Sequence, residues 1–354
     1  MTRAKRAMIC AAGLAALVLG LVALQRATRK PGAVHYYSEC SILDRQSKLL
    51  RRLPGLYCIF LENGDLVSSD PGDATHPGLI TYFDRHMRIK WWRKLTVHHN
   101  FNLSLDAKSI YALVQETRGD TRYDLLYELD LSTGDTLGLW DTATHLTELE
   151  DVMGLPRGSM LKEWRRTIPG EQRSAIPGAP HWEYSHFNSI RDVPPNEKGF
   201  FKPGQVIVNA CCFGKAIVFD HDLRAPLFSV AISRSEATHS ASVTAEGNLL
   251  FFRNSHFDAK ENFSSVEEYD PVEKRIVWYF RGVDGHVPFF AAAHGYIEKI
   301  AEDRYMFSAN DVAYEIDRAG KVYWRSTTPP RQPFFSLMPI RKGDLSGFLR
   351  NNEN

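Results

Sequence analysis

The residues best suited to chemistry in this 354-residue chain are histidines that recur in short, distinctive contexts. His98 and His99 stand in "VHHN", His186 in "HWEYSHFNSI" and His239 in "ATHSAS". A neutral imidazole can attack an electrophilic centre, and a second can carry a proton to a leaving group. Such a set therefore suits group transfer through a covalent intermediate. In an extended run around His186 the side chains alternate, so Trp182, Tyr184, His186 and Asn188 share one face and Ser189 turns away. That face would combine aromatic surface, a proton carrier and an amide donor. No CxxC pair and no His/Cys cluster with zinc-like spacing occurs, so neither a metal nor another cofactor is expected.

A repeat must position these residues. A short β-rich run ends in Asp, turns, and returns as a second run ending in an aromatic. It occurs as "LITYFDRHMRIKWW" at Asp84, "LLYELDLSTGDTLGLW" at Asp130, "AIVFDHDLRAPLF" at Asp220, "VEEYDPVEKRIVW" at Asp270 and "VAYEIDRAGKVYW" at Asp317. The intervals are 46, 90, 50 and 47 residues. Ninety is two steps of 45, which places a degenerate copy near residue 175 and brings the count to six units. A period of about 40–50 residues built from hairpins is the signature of a β-propeller with four strands in each blade. A hairpin alone cannot bury its apolar face, whereas blades around an axis bury each other's, with the aromatic wedged between neighbours. The fold expected is all-β, a six-bladed propeller.

Against this frame His99 and His239 each lie 31 residues before their blade's Asp, and His186 lies 34 before Asp220. Equal phase means an equivalent place in a blade, so three imidazoles distant in sequence converge on one mouth of the channel. His98 is the alternative inward member of its pair. His294, 23 residues before Asp317, is out of phase and reads as structural. His145 precedes the irregular stretch and has only a weak claim on the same mouth. Within residues 141–180, "HLTELEDVM" reads as a short helix and the Pro and Gly after it as an excursion beside or over the channel.

The N-terminus is different. Arg3, Lys5 and Arg6 precede seventeen apolar residues, Met8 to Leu24, and Arg26, Arg29 and Lys30 close the run. At 1.5 Å per residue the run spans about 25 Å, enough for a short membrane helix. With no small-x-small cleavage site before the charges, it reads as a signal-anchor transmembrane helix rather than a removed signal, and leaves the rest of the chain in the periplasm or another extracytoplasmic space. Residues 1–30 are then the anchor, 31–50 a linker, 51–335 the propeller and 336–354 a tail. A Cys40–Cys58 disulfide is possible in such a compartment, while adjacent Cys211 and Cys212 read as small apolar residues on opposite faces of a strand. With 43 basic and 42 acidic residues, the chain lacks the charge of a nucleic-acid binder.

The pieces "VHHNFNLSLDAKSIYAL", "WEYSHFNSI", "HSASVTAEGNLLFFRNS" with "VEEYDPVEKRIVW", and "VAYEIDRAGKVYW" resemble, in the same order, the bacterial arylsulfotransferase (aryl-sulfate sulfotransferase) family. The likeness covers roughly residues 75–325. It implies an exported six-bladed propeller that needs no nucleotide donor and passes a sulfuryl group from a phenolic sulfate ester to another phenol through a channel His. Carried over, the nucleophile matches His239, the supporting histidines His99 (or His98) and His186, and Asn188 holds sulfuryl oxygens. Two positions depart from the family. Where it places an Arg in the strand after H-x-N-S, this chain has Cys211 in "NACCFGKAIVFD", with Lys215 four residues on as a substitute cation; and "FDNG" reads "FRNS", with Arg253 at an acidic position. Two readings follow: a divergent sulfotransferase acting on small aryl sulfates and phenols, or a non-catalytic propeller that binds a ligand or partner at its mouth. A quinone-dependent dehydrogenase propeller is disfavoured, since the chain has no tryptophan-docking repeat and no calcium-type acidic cluster.

Overall fold

The computed structural model describes residues 36–327 and 338–339, apart from 39, 45–47, 73–76, 164–179, 233–236, 255–262, 284–286, 293 and 311. The apolar segment Met8 to Leu24 and the expected repeat copy near residue 175 lie outside the described residues. Among those residues no helix is long and apolar enough to cross a membrane.

Alternation along the chain becomes alternation of burial. In Leu79–Phe83, Ile80 and Tyr82 are buried while Leu79, Thr81 and Phe83 stay partly open. Among the described residues such strands assemble six sheets, of which four are regular meanders of consecutive antiparallel strands. The second sheet comprises Tyr57–Phe60, Leu66–Asp70, Leu79–Phe83 and Ile89–Lys94. The fourth comprises Phe187–Asp192, Val206–Ala210, Lys215–Phe219 and Pro226–Ala231. The fifth comprises Thr238–Val243, Leu249–Arg253, Ser265–Asp270 and Arg275–Arg281. The sixth comprises Tyr296–Ala301, Arg304–Ala309, Val312–Ile316 and Val322–Thr327.

The recurrent Asp sits between the third and fourth strands and closes the turn with its carboxylate. Asp84 accepts from the backbone N–H of His86 and Arg88 at 2.8 and 3.0 Å, and Asp270 from Val272 and Glu273 at 2.9 and 3.1 Å. These donors, Arg88 foremost, pull the Asp84 carboxyl down to about 2. The aromatic that follows locks blade to blade. Trp91 donates its indole N–H to the Leu131 carbonyl at 2.9 Å, and Trp278 donates to Arg318 at 2.9 Å. Each acceptor is the residue just after the next sheet's Asp. Gly134, at φ 76°, leaves room for this: a Cβ there would lie 2.8 Å from the Trp91 ring.

The core lies between the sheets. Ile42 and Leu66 join the first sheet to the second, and Val67 and Leu125 join the second to the third. Leu126 and Phe219 join the third to the fourth, and Val218 and Phe251 the fourth to the fifth. Trp278 with Tyr305 joins the fifth to the sixth, and Trp324 with Leu43 the sixth back to the first. Every sheet thus packs both faces on neighbours, at roughly 1.5–3 kcal/mol for each large apolar side chain fully buried. The fold is a β-propeller. In the second to sixth sheets the first strands pack on one another in succession around the axis.

Two sheets depart from the regular plan. The third holds Val97–Leu103, Ser109–Arg118, Thr121–Asp130 and Thr136–Asp141, and adds Leu161–Glu163 and Trp182–Tyr184. Trp182–Tyr184 runs parallel to the start of Thr121–Asp130, a stretch that Thr136–Asp141 leaves uncovered. The described flanks of the 90-residue interval thus extend the third sheet. The expected helix forms over Leu146–Met153, ends at left-handed Gly154, and packs against the fourth sheet's outer strand rather than over the channel.

The first sheet joins Met338–Pro339 to Tyr36–Ser38, Ser41–Leu43 and Leu49–Arg52, so part of the expected linker and tail are strands that close the ring. Asp44 completes the series of turn residues: its carboxylate accepts from Lys48 N–H at 2.9 Å, between the sheet's third and fourth strands. A Cys40–Cys58 disulfide ties this sheet to the second.

Candidate histidine site at the channel

Four successive sheets place histidines at one end of their first strands. In three of them the ladder to the second strand slips beside the histidine: between Val97 and Phe101, Phe187 and Ser189, and His239 and Ser242. The backbone takes positive φ at His99 (63°), Ser185 (71°), His186 (119°), Ser240 (58°) and His294 (66°). Such bulges re-aim a side chain out of the alternating pattern, and non-glycine residues at positive φ are held there only by their surroundings. Asp124 supplies part of that hold around His186. Its buried carboxylate accepts from Ser185 Oγ at 2.7 Å and from the N–H groups of His186 and Phe187 at 2.9 and 2.8 Å.

The imidazoles meet. His99 Nε2 lies 2.9 Å from His186 Nε2, one donating and the other accepting. The His98 ring centroid is 3.7 Å from that of His99 and 5.3 Å from that of His186. One ring nitrogen from each of His98, His99 and His186 falls within 4.8 Å of the others. His239 and His294 lie behind, with centroids 6.1 and 6.4 Å from His99 and 6.3 Å from each other. Enclosure by protein, reinforced by the four neighbouring imidazoles, holds His99 well below the usual histidine range and hence neutral.

Two partners fix the tautomers. His186 Nδ1 lies 2.9 Å from Glu183 Oε1, which can only accept, so Nδ1 carries the proton. Glu183 is in turn paired with Arg122, and both side chains are largely buried. Asn254 directs its amide NH2 to the carbonyls of Ala291 at 2.8 Å and His294 at 2.6 Å, so its oxygen faces His239 Nδ1 at 2.6 Å. His239 therefore donates from Nδ1, and in its neutral form the lone pair lies on Nε2.

Several expected site residues stand elsewhere. Asn188 gives its NH2 to Thr238 O at 2.7 Å and takes a bond from Asn209 at 2.7 Å, which ties it between the fourth and fifth sheets. Tyr184 is buried in the core between the third and fourth sheets and donates to Leu146 O at 2.9 Å. Trp182 lies on the surface, because the alternation breaks at Ser185–His186 and it is Glu183 that reaches His186. Cys211 and Lys215 do not share a strand. Cys211–Phe213 form a 3-10 turn closed by left-handed Gly214, so Lys215 begins the next strand and donates to the Met153 carbonyl at the helix end. The Cys211 thiol is buried, and its hydrogen bond with the Cys212 thiol, then burial, pushes it well above the usual range. Arg253 is engaged by Glu267 at 2.9 Å, and His145 stacks on Trp140 at 4.0 Å.

No family model matches the chain, and no curated protein matches it. Solved structures do. A protein of unknown function from Bacteroides caccae is 12% identical, with a TM-score of 0.53, covering 88% of this chain and all of that one. The periplasmic gluconolactonase of Pseudomonas aeruginosa is 10% identical, with a TM-score of 0.47 over 87% of this chain and 99% of that one. The β-propeller domain of Myceliophteria thermophila Cps50 (Swd1) is 12% identical, with a TM-score of 0.42 over 80% and 89%. At such identities likeness speaks to fold alone.

Proposed function

We propose that this chain is an exported, membrane-tethered six-bladed propeller that moves a sulfuryl group from a phenolic sulfate ester to a phenol through His239, without a nucleotide donor. The observation that carries the reading is the Asn254–His239 bond, which sets the proton of neutral His239 on Nδ1 and its nucleophilic lone pair on Nε2. His239 Nε2 attacks sulfur, the sulfur–oxygen bond to the phenol breaks, and the positive charge that develops on the ring is met by the Asn254 carbonyl. The departing phenolate takes a proton from the His99–His186 pair, in which Glu183 supports the charged form of His186. In the second half-reaction the acceptor phenol returns that proton to the pair as its oxygen displaces His239. The resemblance of the quoted sequence pieces to aryl-sulfate sulfotransferases names the electrophile. Counting the irregular first and third sheets as blades brings the number to six, the Cys40–Cys58 disulfide suits a periplasmic location, and residues 8–24 supply the tether.

The test is incubation with a chromogenic aryl sulfate, with and without a phenol acceptor. Release of the chromophore dependent on acceptor, and a sulfuryl adduct on His239 by mass spectrometry, are expected. His239→Ala should abolish both. An adduct elsewhere, or full turnover by His239→Ala, would sink the mechanism. A second reading, a propeller that binds a ligand without turnover, is favoured by Cys211: a buried neutral thiol stands where the resembled family carries a cation.

A further inference from the structure

We propose that His98, His99 and His186 form a binding site for a borderline first-row divalent cation, Zn²⁺ being the fitting member. Three imidazole nitrogens within 4.8 Å of one another, with His99 and His186 already at 2.9 Å, bracket the spacing a metal requires. Tetrahedral zinc with bonds of about 2.0–2.1 Å sets its ligand nitrogens about 3.3 Å apart, so the three rings need shifts of only about an ångström. Imidazoles select zinc, copper or nickel over magnesium or calcium, which prefer oxygen.

The support behind the ligands is of the kind such sites use. Glu183 accepts the Nδ1 proton of His186 at 2.9 Å and so sets Nε2 as the lone-pair nitrogen facing His99. A carboxylate behind a ligating histidine fixes its tautomer and raises its basicity. Arg122 holds Glu183 in place, and Asp124 fixes the backbone of His186. The ion takes the place of the proton that now joins His99 to His186, and no bond to carbon or sulfur changes. Three protein ligands leave a fourth position for water or an anion.

The assignment does not need the sulfotransfer reading, although it shares His99 and His186 with the proposed proton-carrying pair, and its test does not read activity. The full chain, stripped with a chelator and dialysed, is titrated with Co²⁺ and followed by visible absorption, then competed with Zn²⁺. About one equivalent is expected, with the intense bands of a low-coordinate site, displaced by Zn²⁺. His99→Gln and, separately, His186→Gln should weaken binding more than about 100-fold, beyond the 10–100-fold typical of losing an outer partner. His145→Gln, whose ring stacks on Trp140 and not on the three ligands, should leave binding intact. Circular dichroism and a thermal melt check each variant. If His99→Gln fails to fold, His98→Gln together with a zinc-induced rise in melting temperature of the unaltered protein serves instead. Binding that survives in the folded histidine variants, or no stoichiometric binding by the unaltered protein, would overturn the assignment. Metal binding without any sulfuryl adduct would uphold it while removing the sulfotransfer reading.

Discussion

Replacing Glu183 by Gln tests whether the channel is organised by one buried charge pair. The Glu183 and Arg122 side chains are 2% and 12% exposed. That decides the magnitude, because an exposed pair contributes about 0–1 kcal/mol whereas breaking a buried one costs about 3–5 kcal/mol. Glutamine keeps the shape and one acceptor, so a loss near the lower end, about 3 kcal/mol, is expected. The greater part reflects Arg122 left charged inside the protein. Arg122→Met should cost a similar amount through the stranded Glu183. The double variant, Glu183→Gln with Arg122→Met, removes both charges and should cost clearly less than the two singles combined. Urea unfolding at neutral pH, followed by tryptophan fluorescence, gives the three differences and a coupling energy of about 2 kcal/mol or more. Single losses below about 1 kcal/mol, or additivity within about 0.5 kcal/mol, would refute the argument that the pair is buried and mutually dependent.

Reducing the Cys40–Cys58 disulfide, which closes a separation of 18 residues, should cost about 3 kcal/mol and be seen as a lower melting temperature in reductant; an unchanged melt would show that ring closure does not depend on it. His99 is neutral when folded but titrates near 6.5 when unfolded, so below about pH 6.5 the unfolded state binds the extra proton and stability falls. The contribution of His99 is present above that pH and is lost at up to about 1.4 kcal/mol per pH unit on acidification. His99→Gln should flatten the slope, and an identical slope would count against a neutral ring. Trp278→Phe removes the bond to the Arg318 carbonyl and should cost about 1–3 kcal/mol in urea unfolding, whereas a neutral result would mean the indole N–H does not lock the fifth sheet to the sixth.

Most of the ring was legible because one local device repeats. An Asp that accepts from two or more backbone N–H groups makes a tight turn wherever it stands, and an aromatic two faces later must go between blades. Asp84, Asp130, Asp220, Asp270 and Asp317 all declared themselves in this way. Asp44 did not, although its carboxylate does the same work, since its returning strand Leu49–Arg52 ends without an aromatic and the first strand of its sheet comes from Met338–Pro339. A closing strand drawn from the far end of the chain leaves no local pattern. Within the 90-residue interval an insertion and a degenerate repeat occupy the same number of residues, so counting alone places a copy near residue 175, outside the described residues. Only pairing separates them, and Trp182–Tyr184 pairs with Thr121–Asp130.

The histidine site shows a different limit. His99, His186 and His239 were found by counting back from the turn Asp, and the same count dismissed His294. The sixth sheet turns between its second and third strands in two residues, from Ala309 to Val312, where the fifth runs from Arg253 to Ser265. The ruler was therefore shorter, while the start of the first strand, where His294 and Gly295 stand, had not moved. Gly295 carries its own signal: at φ 140° a Cβ would press to 2.3 Å from the Phe252 ring, so the chain must turn there into the blade. Counting from the inner strand recovers all four histidine-bearing sheets. Glu183, Arg122 and Asp124 could not be recovered by any count. They come from the third strand of the third sheet and from an inserted strand paired parallel to it, and they act where alternation fails, at Ser185 and His186. A pattern that assumes a regular strand assigns Trp182 and Tyr184 to the pocket; the bulge hands that place to the carboxylate between them. The histidine cluster thus sits on the interruptions of the repeat, which is why counting along the repeat brings His99, His186 and His239 together but misplaces Trp182 and Tyr184.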